Sequence, residues 1–128
     1  MHITPINPVH DIYPATADYV HAMQVTAPAR WLFISGTMGL ANDSRAAATL
    51  DGQLALIWHN IRRILQEAEM TPENIVRVTS YLTDAAYAEA NQNAREVALG
   101  HRPVATTAII AATLNSDWLV EIEAIAVA

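Results

Sequence analysis

Two carboxylates stand near the end of this chain on a stretch that is otherwise apolar. In Trp118-Leu119-Val120-Glu121-Ile122-Glu123-Ala124-Ile125-Ala126, alternation puts Val120, Ile122, Ala124 and Ala126 on one face of a strand. Glu121, Glu123, Ile125 and Val127 fall on the other. A carboxylate on a half-buried strand is costly unless a partner or a wet cleft receives it. Two readings follow from that cost. The strand borders a site in which Glu121 acts as a base toward water, or it lies at a sheet edge, where charge blocks unwanted strand pairing.

Other chemistries are bounded by composition. The chain has no Cys and no Lys, which removes disulfides, thiolate nucleophiles and side-chain Schiff bases. Chemistry must rest on His, Arg, Asp, Glu, Ser, Thr, Tyr or backbone groups. His2, His10, His59 and His101 show no ligand spacing, so no metal is expected. Gly36-Thr37-Met38-Gly39 is too short for a phosphate loop, and no cofactor is expected. Thirteen acids against seven arginines give a net charge of -6, which disfavours nucleic acid because phosphate binding needs a basic stripe. Met1 to Pro14 has no basic run followed by an apolar block, and Thr106 to Leu114 is too short to span a bilayer. No membrane partner and a cytoplasmic location are expected.

These residues need elements to position them. The 128 residues suit one domain over 1–128, and 52% hydrophobic content suits a packed core or a buried oligomer surface. Residues 1–17 read as extended and are punctuated by Pro5, Pro8 and Pro14. Strands are expected over 19–25, 31–35, 75–82, 104–114 and 118–127. Leu50, Leu54, Ile57, Ile61, Ile64, Leu65 and Ala68 recur at helical spacing, so a helix is expected over roughly residues 50–69. Thr71-Pro72-Glu73 opens a short turn of helix. A second helix is expected over 85–99, with Gly100 as its stop. This order gives an α+β sandwich, two helices on one face of a mixed sheet. The helices can cover only that face. The nearly continuous apolar run Thr106 to Ala112 therefore calls for an oligomer contact on the other.

The order of several short motifs resembles the Rid family, the reactive intermediate deaminases also called YjgF-like proteins. Asp18-Tyr19-Val20 is similar to an early Pro-Tyr motif, and Leu32-Phe33-Ile34-Ser35-Gly36 to a strand ending in Ser-Gly. Gln53 with Asn60-Ile61 resembles a Gln-x6-Asn-Ile helix. Val76 to Asp84 resembles the second-half strand, and Asn91 the Asn of the helix after it. Pro103-Val104-Ala105-Thr106-Thr107 with Val120-Glu121-Ile122-Glu123-Ala124 resembles the family's end. The resemblance implies a chorismate-mutase-like fold with a six-stranded mixed sheet, a homotrimer, and clefts between subunits that take a small molecule. It implies an enamine or imine deaminase, a hydrolase of C=N bonds. Carried over by position, the site comprises Glu121 and Tyr19 as catalytic residues, with Ser35, Gly36, Asn91, Ala105 and Thr106 binding substrate. A ribonuclease label that some members carry is disfavoured here by the charge balance.

One position departs from the pattern. Active members carry an Arg two residues after the Pro, which grips a substrate carboxylate; here that residue is Ala105. Arg102 is the Arg nearest in sequence, but its odd offset points it to the opposite strand face. The resemblance therefore leaves two readings open. One is a hydrolase of a small C=N or carbonyl metabolite that is not a standard 2-aminoacrylate deaminase. The other is a non-catalytic small-molecule-binding or regulatory trimer using the same cleft.

Overall fold

The computed structural model describes residues 1–128. Seven strands form: β1 His2–Ile6, β2 Tyr19–Val20, β3 Ala22–Thr26, β4 Trp31–Met38, β5 Ile75–Leu82, β6 Val104–Ile110 and β7 Val120–Val127. The helices are α1 Leu50–Glu67 and α2 Ala88–Ala98, each preceded or followed by short 3-10 turns at Pro72–Asn74 and Ala85–Tyr87. The main sheet has the order β2-β6-β5-β7-β4. β2, β6 and β5 run parallel, while β7 is antiparallel to both β5 and β4. The α+β class and the two helices on one face of a mixed sheet are as expected. The strand count is not: five strands make the sheet, and β1 and β3 form a separate antiparallel ribbon.

The reason lies at His21. Its backbone N–H donates to Asn7 Oδ1 at 2.8 Å instead of to a ladder. The expected strand over 19–25 therefore divides into β2, which stays in the sheet, and β3, which leaves to pair with β1. The expected strand over 104–114 ends at Ile110 because its partner ends: Leu82 pairs with Ile110, and the Ala111 N–H takes the Leu82 carbonyl at 2.9 Å. β4 runs past Ser35 to Met38 through a bulge.

α1 starts where Thr49 Oγ1 accepts from the Gly52 N–H at 3.1 Å, a cap worth about 1 kcal/mol. Its apolar stripe buries Leu54, Ile57, Trp58, Ile61 and Leu65 against Val78, Leu82, Val120, Ile122 and Ala124 of the sheet. Burying each large aliphatic side chain contributes roughly 1.5–3 kcal/mol relative to exposure. α2 ends with the Gly100 N–H on the Val97 carbonyl and the His101 N–H on the Glu96 carbonyl, with Gly100 at φ 61. That pair of bonds is the Schellman closure, for which glycine is the favoured residue.

Two polar residues of α1 hold the loops that lead to the candidate site. Gln53 is buried; its Nε2 donates to the Ala47 and Asp117 carbonyls, and its Oε1 accepts from the Leu119 N–H at 2.9 Å. It thereby fixes the entry into β7. Asn60 Nδ2 donates to the Met38 and Leu40 carbonyls and fixes the exit of β4. Gly39 lies so close to α1 that a Cβ there would meet the Gln53 Cα at 2.4 Å. The Gln and Asn of the helix motif are thus positioning residues for β7, which carries Glu121, and for β4 beside it. No helix is long and apolar enough to cross a membrane.

Candidate functional site

β7 is paired on both sides, by β5 and by β4. Glu121 and Glu123 are therefore not edge charges, and the edge reading of these carboxylates falls. Both lie on the face opposite the helices, since Val120, Ile122 and Ala124 are in the core beneath them. On this outer face three strands bring their residues into rows. Ala105 pairs with Arg77, and Arg77 with Ile125; Thr107 pairs with Thr79, and Thr79 with Glu123; Ile109 pairs with Tyr81, and Tyr81 with Glu121.

The two carboxylates are treated differently. Tyr81 Oη donates to Glu123 Oε1 at 2.6 Å. That bond first, and then burial, hold the Tyr81 phenol above its ordinary pKa. Glu121, half-buried, forms none of the chain's ion pairs or side-chain hydrogen bonds. It lies instead against the β4 bulge. Ile34 pairs with Ala124 and Thr37 with Ile122, so two residues, Ser35 and Gly36, oppose Glu123 alone. Bulges re-aim side chains in this way. A Cβ on Gly36 would lie 2.9 Å from Glu121 Cδ, so a side chain there would displace the carboxylate.

The sheet separates Tyr19, Asn91 and Thr106 from this face. Thr106 and Ala108 turn toward α2, where with Tyr19, Asn91 and Gln92 they line a small cavity of about 220 Å³. Arg95 organises that side: Nη1 donates to the Asp18 carbonyl and to Thr106 Oγ1, and Nη2 to Asp18 Oδ2 at 2.8 Å. Burial pushes the Asp18 carboxyl up, but hydrogen bonds from Thr16 and Arg95 and the Arg95 charge outweigh it and hold it below the ordinary aspartate value. Within one chain, Tyr19, Asn91 and Thr106 thus form one group, and Ser35, Gly36 and Glu121 another; Ala105 shares the outer face but lies two strands away from Glu121 and four residues along. Asn91 is buried, not part of a solvated helix face. His21 is occupied as well, its Nε2 donating to the Tyr13 carbonyl at 2.8 Å.

Arg102 serves structure. Nη2 donates to the Pro72 and Ile75 carbonyls at 3.0 and 2.8 Å, stapling the start of β6 to the start of β5. Burial lowers its pKa from the ordinary guanidinium value, with Glu73 opposing. Arg77, Tyr81 and Glu123 are the outer-face groups that motif reading passed over as site residues. Alternation over 75–82 does put Arg77, Thr79 and Tyr81 on one face, but which strands flank them is invisible in the sequence. No three His, Cys, Asp or Glu side chains gather in an arrangement able to hold a metal ion.

Comparison with known proteins agrees with this architecture. The family described as endoribonuclease L-PSP matches residues 10–128. A RutC family protein of Aquifex aeolicus (strain VF5) is 37% identical over 67 residues, 52% of this chain and 51% of that one, so the chain spans about half the length of that curated relative in the match. Among solved structures, a protein of unknown function of the conserved Rid protein family, YyfB from Yersinia pestis, superposes with a TM-score of 0.85 at 26% identity, covering 100% of both chains. RidA from the Antarctic bacterium Psychrobacter sp. superposes at 0.73 over 95% of this chain and 98% of that one; at 22% identity that likeness is one of fold. An α+β sandwich with this sheet order and this match defines the class. The chain belongs to the endoribonuclease L-PSP family and is a Rid/YjgF-like protein.

Proposed function

We propose that this protein is an oligomeric hydrolase of a small C=N or carbonyl metabolite, of the enamine/imine deaminase kind, with Glu121 as the base that directs water. The observation that carries the reading is the contrast between the two carboxylates of β7. Glu123 is bound to Tyr81, whereas Glu121 is held over the Ser35-Gly36 bulge with no partner in its own chain. A carboxylate positioned by backbone shape and left free is suited to proton transfer. Backbone groups of the bulge orient water and substrate beside it.

A homotrimer completes the site in this reading. Phe33 is 70% exposed and Trp31, stacked on it, 52%; Ile109 is 47% exposed. Large apolar side chains left open on strands favour a subunit contact. The apolar groove between the helices, lined by Leu54, Trp58, Ala94 and Val97, lies on the far side of the sheet from Glu121. A cleft enclosing Glu121 is therefore assigned to the subunit boundary. Ala105 removes the family's carboxylate anchor from β6, so the standard 2-aminoacrylate reaction is not assumed. Net charge of -6 and the carboxylates on the outer face count against a nucleic acid substrate.

The test couples a threonine dehydratase to this protein and follows release of the 2-oxo acid with and without it. Wild type is expected to accelerate release only weakly, because Ala105 leaves the substrate carboxylate unanchored; Ala105→Arg is expected to raise the rate, and Glu121→Gln in that background to lower it by roughly 10²–10⁴-fold with the fold and assembly retained. Light scattering at micromolar concentration is expected to give a trimer. Strong acceleration by wild type overturns the argument from Ala105, and unchanged turnover in Glu121→Gln removes Glu121 from the chemistry. Thermal stabilisation by small metabolites with no product over hours would instead favour the binding protein.

A further inference from the structure

The helix side of the sheet carries a hollow whose cause is readable in α2. Ala90, Ala94 and Ala98 recur every four residues, so one stripe of α2 presents only methyl groups. Ala55 of α1 is equally small. Large side chains would close the space between two packed helices; these leave it open as a groove of about 510 Å³. That volume falls within the roughly 300–1,000 Å³ of small-molecule sites. The groove is apolar except for Asp51, Arg62 and Asn93, and Val97, which also lines it, is left 69% exposed.

Two hydrogen-bond donors at this groove lack partners. Trp58 is 3% exposed, and its Nε1–H has no acceptor. A buried indole N–H is usually paired, so this one calls for an acceptor that the chain does not supply. Arg62 is exposed and takes part in none of the chain's ion pairs or side-chain hydrogen bonds. The two residues are four apart on α1 and are therefore neighbours on one helix face. An oxygen-bearing group between them would accept from both, and a carboxylate adds charge complementarity with the guanidinium. From there the apolar lining runs back along α1 past Ala55 and Leu54 to Asp51. Arg62 and Asp51 stand eleven residues apart, about 16 Å of helix. Opposite charges at the two ends of α1's lining favour a ligand with one anionic end and an uncharged tail. They disfavour one with a carboxylate at each end.

We propose that the groove between α1 and α2 is a binding site for a medium-chain monocarboxylate, with Arg62 and the Trp58 indole N–H on the carboxylate and Leu54, Ala55 and Ala94 along the chain. The site lies across the sheet from Glu121 and stands or falls independently of the hydrolase reading.

The experiment is a calorimetric titration of the assembled protein with octanoate below its micellar concentration and, in parallel, with 1-octanol and octanedioate. Wild type is expected to bind octanoate and to prefer it to both others. Arg62→Gln is expected to weaken octanoate binding about fivefold to thirtyfold and to remove the preference over 1-octanol. Trp58→Phe keeps a ring and removes the N–H; it is expected to weaken binding about threefold to tenfold. Ala94→Leu fills the groove and is expected to abolish binding. Arg62 is exposed, so Arg62→Gln reads the contact even where a variant at Trp58 or Ala94 fails to fold. No binding of octanoate by wild type overturns the proposal, as do equal binding of octanoate and octanedioate and an affinity unchanged in Arg62→Gln. Octanoate bound as tightly by a folded Ala94→Leu places the ligand elsewhere and also overturns it. A changed oligomeric state in Arg62→Gln does the same and assigns the groove to a subunit contact.

Discussion

Arg95 and Arg77 occupy opposite faces of one sheet. On the helix side, Arg95 is almost fully buried and commits both terminal nitrogens to Asp18 and Thr106 within the chain, while its Nε has no partner. On the outer side, Arg77 is half-buried and touches one hydroxyl. The same split holds for the carboxylates, with Asp18 enclosed by Thr16 and Arg95 and Glu121 left open. A guanidinium whose terminal nitrogens are already bound within the chain stabilises the fold and has little left to offer a ligand. A charge positioned by rigid strands and left incomplete is available for binding or proton transfer, provided a subunit or ligand excludes water from it.

Removing each arginine breaks the comparison most directly. Arg95→Ala leaves the half-buried Asp18 without its partner and is expected to destabilise by about 3 kcal/mol, the low end for breaking a buried pair, whereas Arg77→Gln, at a site without an ion pair, is expected to stay within about 1 kcal/mol. Urea denaturation of both variants checks this, and similar losses would erase the distinction between the faces. Gly36→Ala comes next. Its Cβ would force the Glu121 carboxylate aside, so turnover or ligand affinity is expected to fall about tenfold or more while stability moves by less than about 1 kcal/mol, a small cost consistent with a flexible side chain yielding.

A smaller effect should appear in acid. The Asp18 pKa is lowered in the folded protein, so its unfolded value is the higher of the two, about 3.9. The stabilisation is complete above that unfolded value and is lost as pH falls through the lower folded one. A urea-unfolding series from pH 6 to pH 2 should show this acid-limb loss in wild type and lack it in Arg95→Ala. Outer-face variants such as Arg77→Gln should retain it.

Local pattern made much of the architecture legible. The 3.6-residue stripe from Leu50 to Ala68 located α1, and the alternation of Ile75 to Leu82 located β5 to the residue. Turn chemistry at Thr71-Pro72 and Gly100 marked the flanking breaks. These features were readable because each depends on neighbours within a turn or a strand length. The ends of the strands over 19–25 and 104–114 were not, because a strand stops where its partner stops, and the partner is remote in sequence. Gln53 and Asn60 were visible as motif residues, but their work of tying down residues 115–119 and the exit of β4 was not.

The sequence by itself determined the two-faced terminal strand, the absence of thiol and amine chemistry, and the substitution at Ala105. Tertiary structure alone decided three further things. It put β7 inside the sheet, so that Glu121 and Glu123 are not edge charges. It separated Tyr19, Asn91 and Thr106 from Glu121 by the thickness of that sheet. It set Arg77, 28 residues before Ala105 in the numbering, directly beside it. The physical reason is register: alternation assigns a residue to a face from its own segment, but hydrogen-bonded pairing between distant segments determines which residues share that face at contact distance.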